Sequence, residues 1–86
     1  MQNMNSQKNK RKYRTLDIHI SSVLIEVCLK KYTSQLELAE LIDVSQSVVS
    51  RWLHKERGMS YMQFSKILNL LNDEDFQILI TKWKNI

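Results

Sequence analysis

Between Ile20 and Trp83 the apolar residues return at steps of three and four in one segment after another, the spacing that lines one face of a helix. Ile20, Val23, Leu24, Val27 and Cys28 make the first such face, which ends near the cations of "KKY". Leu38, Ala39 and Ile42 make the second, and Val49, Trp52 and Leu53 the third. Phe64, Ile67, Leu68 and Leu71 follow, then Phe76, Leu79, Ile80 and Trp83. One glycine, Gly58, and no proline in 86 residues leave little with which to build a turn-rich sheet fold. The pattern predicts an all-α, compact five-helix domain with short connections. Ser34 with Glu37, and Ser60 with Gln63, have the spacing of capping boxes, and Ser45 is placed to cap the third helix. Asp73, Glu74 and Asp75 form an acidic first turn for the fifth. "TLDIHI" reads either as a short extended lead-in or as the first turn of the first helix.

At 10.3 kDa the chain is expected to be one domain, with no room for a separate sensor or catalytic unit. The net charge is +4, but its distribution matters more than its sum. Lys8, Lys10, Arg11, Lys12 and Arg14 precede the first acid, so five of the 13 basic residues lie there and the remainder carries eight against all nine acids. Residues 1–15 are therefore expected to be a flexible, disordered basic arm, and residues 16–86 the folded domain. The single cysteine, Cys28, lies at a helical core position and cannot form an internal disulfide, which fits a cytoplasmic protein. "VLIEVCL" is too short and too interrupted to span a membrane, and the polar N-terminus lacks the apolar stretch of a secretory signal.

The stretch "QLELAELIDVSQSVVSRWL" places a short helix at about 35–42, a tight turn at Asp43-Val44, and a second short helix at about 46–54. Gln46, Ser47, Ser50, Arg51 and His54 fall on the outer side of that second helix, while Val49 and Trp52 face inward. A helix presenting such side chains from a tight helix-turn-helix can enter the major groove of duplex DNA. Gln pairs bidentately with adenine and Arg with guanine, while Ser reaches base edges or phosphates.

The same stretch resembles the helix-turn-helix of the lambda-repressor/Cro-like (Xre-type) DNA-binding domains. That family's pattern has a Gln, a Leu-Ala pair, a glycine turn followed by Val-Ser, and an apolar and an aromatic residue behind the second helix. Gln35, Leu38-Ala39, Val44-Ser45, Val49 and Trp52 stand in those places, and "SYMQFSKILNLL" resembles the family's fourth helix. The resemblance covers roughly residues 18–83. It implies a lambda-repressor-like fold and sequence-specific binding of double-stranded DNA, usually as a homodimer on a two-fold operator, with transcriptional control as the outcome. By analogy it also implies a repressor of the kind a phage or other mobile element encodes. Carried over by position, Gln46, Ser47, Ser50 and Arg51 would read bases, and Gln35 and Ser45 would hold a phosphate. Lys55 and Arg57, in the loop after the recognition helix, would touch the backbone. Asp43 departs from the pattern's glycine, but Asp tolerates the left-handed conformation such a turn needs at a cost on the order of 1 kcal/mol.

The arm is either a solubilising tail or a source of phosphate attraction that adds affinity rather than specificity. Trp52 reads as core rather than as a base-stacking platform. His19 and His54 lack any Cys, His or Asp partner at ligand spacing, so no metal is assigned. No cofactor, small-molecule ligand or enzymatic site is expected, because phosphate loops, nucleophile triads and metal clusters are all missing from the sequence. Ile78, off the inward stripe of the last helix, with Trp83 and Ile86, suggests a homodimer surface. The near-neutral domain and Asp43 keep open a second function class: a protein-interaction module of the same fold acting on another regulatory protein.

Overall fold

A computed structural model describes residues 15–32 and 34–86. The arm cations Lys8, Lys10, Arg11, Lys12 and Arg14 lie outside the described residues. Five helices follow in order: α1 (Ile18–Lys31), α2 (Gln35–Ile42), α3 (Gln46–Leu53), α4 (Tyr61–Leu68) and α5 (Asp73–Lys84). The five-helix, all-α expectation is met, and among the described residues no helix is long and apolar enough to cross a membrane.

Each helix begins at a short polar side chain that satisfies otherwise orphaned amides. Asp17 accepts the N–H groups of His19 and Ile20 at 2.7 and 3.2 Å. Ser34 accepts the Glu37 N–H at 3.0 Å, and Ser45 accepts the Val48 N–H at 3.3 Å. Ser60 and Gln63 form a reciprocal capping box, as their spacing predicts, and Asn72 and Asp75 form a second that the sequence reading did not single out. "TLDIHI" turns out to be both of its readings. Thr15 pairs with Ser60 in an isolated antiparallel bridge, the Leu16 N–H donates to the Met59 carbonyl at 2.8 Å, and the helix starts after Asp17.

The core gathers around α1, which packs on α2, α3 and α5, while α2 packs on α3 and α4. Leu24, Val27, Cys28, Leu38, Ala39, Ile42, Val49, Trp52, Ile67 and Leu79 are buried as their spacing predicts. The buried face of α1 is rotated from the expected one: Ile25 is fully buried, whereas Ile20 and Val23 are only half-buried. Two serines explain the rotation. Ser21 and Ser22 are fully buried, where Ser22 Oγ donates to the Leu53 carbonyl at 2.8 Å and Ser21 Oγ accepts the Met59 N–H at 3.1 Å. Leaving either backbone group without its partner would cost about 1–3 kcal/mol, so these hydroxyls fix α1 against the end of α3 and the loop beyond it. Met59, unpredicted as core, is fully buried in that loop.

Gly58 has a role that "loop glycine" does not convey. It is buried, and a Cβ there would collide with the Leu16 carbonyl oxygen and press on Thr15 Oγ1. The glycine is what lets the extended lead-in lie against this loop. At the opposite end of α1, Lys31 Nζ reaches both Asp75 Oδ2 and the Leu70 carbonyl at 3.1 Å, tying α1 to the start of α5.

Candidate nucleic-acid interface

The turn between α2 and α3 is closed by the backbone of Asp43, which takes up the left-handed conformation at φ 61° and ψ 51°. Its N–H and that of Val44, the latter at 3.0 Å, both donate to the Ala39 carbonyl. Asp43 thus does what the family's glycine does, as expected, and its side chain is exposed. Val44 packs on the core beside it, which fixes the angle at which the chain enters α3.

From that turn α3 runs only eight residues, two of which, Val49 and Trp52, are fully buried. An isolated helix this short would not hold together in water; its cap at Ser45 and this buried pair hold it. Trp52 Nε1 is buried without a hydrogen-bond partner, so the indole serves here as packing volume, and the reading of Trp52 as a core aromatic stands. The opposite side carries Gln46, Ser47, Arg51 and His54 exposed and Ser50 half-buried. Successive residues advance by about 100°, so these five lie within one arc of the helix. No acid stands on α3.

Hydrogen bonds already order part of that arc. Ser45 Oγ and Ser47 Oγ lie 3.1 Å apart, and His54 Nδ1 lies 2.8 Å from the Ser50 carbonyl and 3.3 Å from the Ser50 hydroxyl. The sequence signal for the His54–Ser50 tie is their i, i+4 spacing on one helix face. Lys55, exposed, is, with Asp43, a non-glycine residue at positive φ, 62°, among the described residues. It closes α3 together with the Glu56 N–H, which donates to the Arg51 carbonyl at 2.9 Å in the Schellman pattern. Arg57 is exposed beyond it, and Gln35 is half-buried at the first position of α2.

Of the three residues read as a partner surface, Ile78 and Ile86 are exposed. Trp83 is a different case: it is half-buried, its Nε1 donates to the Ile20 carbonyl at 3.2 Å, and its ring lies 6.1 Å from that of Phe64. It fastens α5 to α1 and α4 while part of its surface stays open beside Ile86. Cys28 is fully buried, and desolvation, with a smaller contribution from the Asp75 charge, pushes its thiol up to about 12. It is an inert core side chain at neutral pH. Among the described residues no cluster of His, Cys, Asp and Glu is placed to hold a metal ion.

A family model described as helix-turn-helix matches residues 24–79, from the middle of α1 into α5. No curated protein and no solved structure matches the chain.

Proposed function

Because the chain belongs to the helix-turn-helix family of DNA-binding domains, we propose that it is a sequence-specific, double-stranded DNA-binding transcriptional regulator of the repressor/Cro kind, acting in the cytoplasm. The observation that carries this reading is the division of α3 into a buried side, Val49 and Trp52, and an exposed polar arc free of acids. Packing fixes the helix from behind, so the arc is presented as a rigid unit. Gln46, Ser47, Ser50 and Arg51 read base edges, while Gln35, Ser45, Lys55 and Arg57 position the backbone. The five arm cations add attraction that does not depend on sequence. A homodimer formed through the α5 side that exposes Ile78 and Ile86 would match a two-fold operator.

The test is binding to the duplex upstream of its own coding sequence and to random duplex at two salt concentrations. Arg51→Ala and a deletion of residues 1–14 are measured beside the wild type. Preference for one site that Arg51→Ala relaxes, with uniform weakening on arm deletion, is the expected result. Weak binding that depends only on the arm and ignores Arg51→Ala would overturn the role given to α3.

A second reading is a protein-interaction module acting on another regulator. It is favoured by α2, where Leu36 and Leu41 are each half exposed beside the exposed acids Glu37 and Glu40, a mixed surface ill-suited to phosphate. A stable complex with a protein partner, formed without measurable duplex affinity, would select it.

A further inference from the structure

His54 occupies the middle of the exposed arc of α3, four positions after Ser50 and three after Arg51. Its Nδ1 sits 2.8 Å from the Ser50 carbonyl oxygen. A carbonyl only accepts, so Nδ1 carries a proton and Nε2 is the nitrogen left for a ligand. With the ring neutral, Nε2 is a bare acceptor. With the ring doubly protonated it is a charged donor.

Position along the helix selects between a base and the backbone. Eight residues separate His54 from Gln46, an axial rise of about 12 Å at 1.5 Å per residue, whereas the major groove is about 8.5 Å deep. A helix that enters the groove by its first turn has climbed to the phosphate rim by residue 54. The chain then continues into exposed Lys55 and Arg57, so the end of α3 has the composition of a backbone clamp.

We infer that His54 in its doubly protonated form is a phosphate contact of the DNA-bound protein. Nε2–H donates to a phosphate oxygen. This rests on the DNA-binding reading above. A neutral ring that keeps its proton on Nδ1 for the Ser50 carbonyl would set an acceptor against an anionic oxygen, so with that hydrogen bond intact the contact needs the second proton. The charges nearest in the chain are Arg51, Lys55, Glu56 and Arg57. The elements packed on α3 carry Glu26, Lys30 and Lys31 with His19 on α1, and Glu37 and Glu40 on α2, with Asp17 and Asp43 at their ends. The ring's two hydrogen bonds both go to Ser50.

The experiment is a salt titration of binding to one fixed duplex at pH 5.5 and pH 7.5, using the full chain as wild type, His54→Gln, His54→Arg and His19→Gln. Thermal midpoints verify that each variant is folded. One added phosphate contact steepens the slope of log K against log salt by about 0.9. The wild type and His19→Gln should gain that increment at pH 5.5, His54→Gln should not, and His54→Arg should hold it at both pH values. Binding with the same slope at both pH values, or a pH effect that survives His54→Gln, overturns the assignment while leaving the DNA reading intact. Wild type that binds no duplex at either pH overturns both.

Discussion

Asp43 and Lys55 sit at positive φ on either side of α3: the first precedes its start and the second closes it. Both are places where a glycine would be the unstrained choice, and the chain spends its single glycine elsewhere, at Gly58. Left-handed backbone at a lysine costs about 1–2 kcal/mol, partly offset by the greater freedom glycine has when unfolded. Lys55→Gly is therefore expected to stabilise by about 0.5–1 kcal/mol, a rise of a few degrees in thermal midpoint. Its affinity for duplex should fall, because a cation leaves the rim, and denaturation and binding measured on the same preparation check both signs. Gly58→Ala should act the other way, since the incoming methyl meets backbone atoms of Leu16 rather than a movable side-chain end. A loss of roughly 3 kcal/mol is expected by denaturant unfolding; a change below about 0.5 kcal/mol, the usual size for a surface substitution, would refute the close approach. Asp43 was legible in the sequence because its reason is local, the tolerance of a short polar side chain for one backbone region. Gly58 was not, because what it approaches, Leu16, lies far away in sequence. Ser21 and Ser22 were missed for a related reason: hydroxyls look like surface until their partners at Met59 and Leu53 are known.

At the level of elements, the helices announced themselves through spacing and caps, and the α2–α3 pair also through its turn. What spacing could not supply was the exact facing of α1, since Ile20, Val23 and Ile25 compete for the core and only the serine contacts decide. The arc of α3 was legible almost completely, because one turn of buried Val49 and Trp52 determines where the other side chains go; the exceptions are the partial burial of Ser50 and the tie between Ser50 and His54. The start of α5 gives a pH prediction. The backbone amide of Asn72 holds the Asp75 carboxyl below the usual carboxylate range against the opposing effect of desolvation, with the Lys31 ammonium adding to the lowering. A depressed folded value means that the stabilisation is present above the ordinary carboxylate range and is lost as pH falls through the folded value. Wild type should therefore lose midpoint temperature more steeply below about pH 4 than Asp75→Asn, which should start lower at neutral pH and run flatter. Parallel curves would mean that Asp75 contributes nothing through its charge.

At the scale of the whole molecule, α1 is the common support, and the lead-in before it joins the outset of the domain to the loop after α3. Truncation separates the two parts of the N-terminal segment. Removing residues 1–14 should leave the thermal midpoint within about a degree, since their polar, basic sequence offers no apolar face to bury. Removing residues 1–16 also deletes the Thr15–Ser60 bridge and the Leu16–Met59 hydrogen bond. It exposes the buried Met59 and Gly58 region as well, and should cost about 1–3 kcal/mol. Equal midpoints for the two truncations would show that the lead-in is ornamental. The pairing also sets a load path. A pull on the chain ahead of Thr15 arrives first at Met59 and Ser60, behind the loop that ends α3, and reaches α1 only after that bridge has parted.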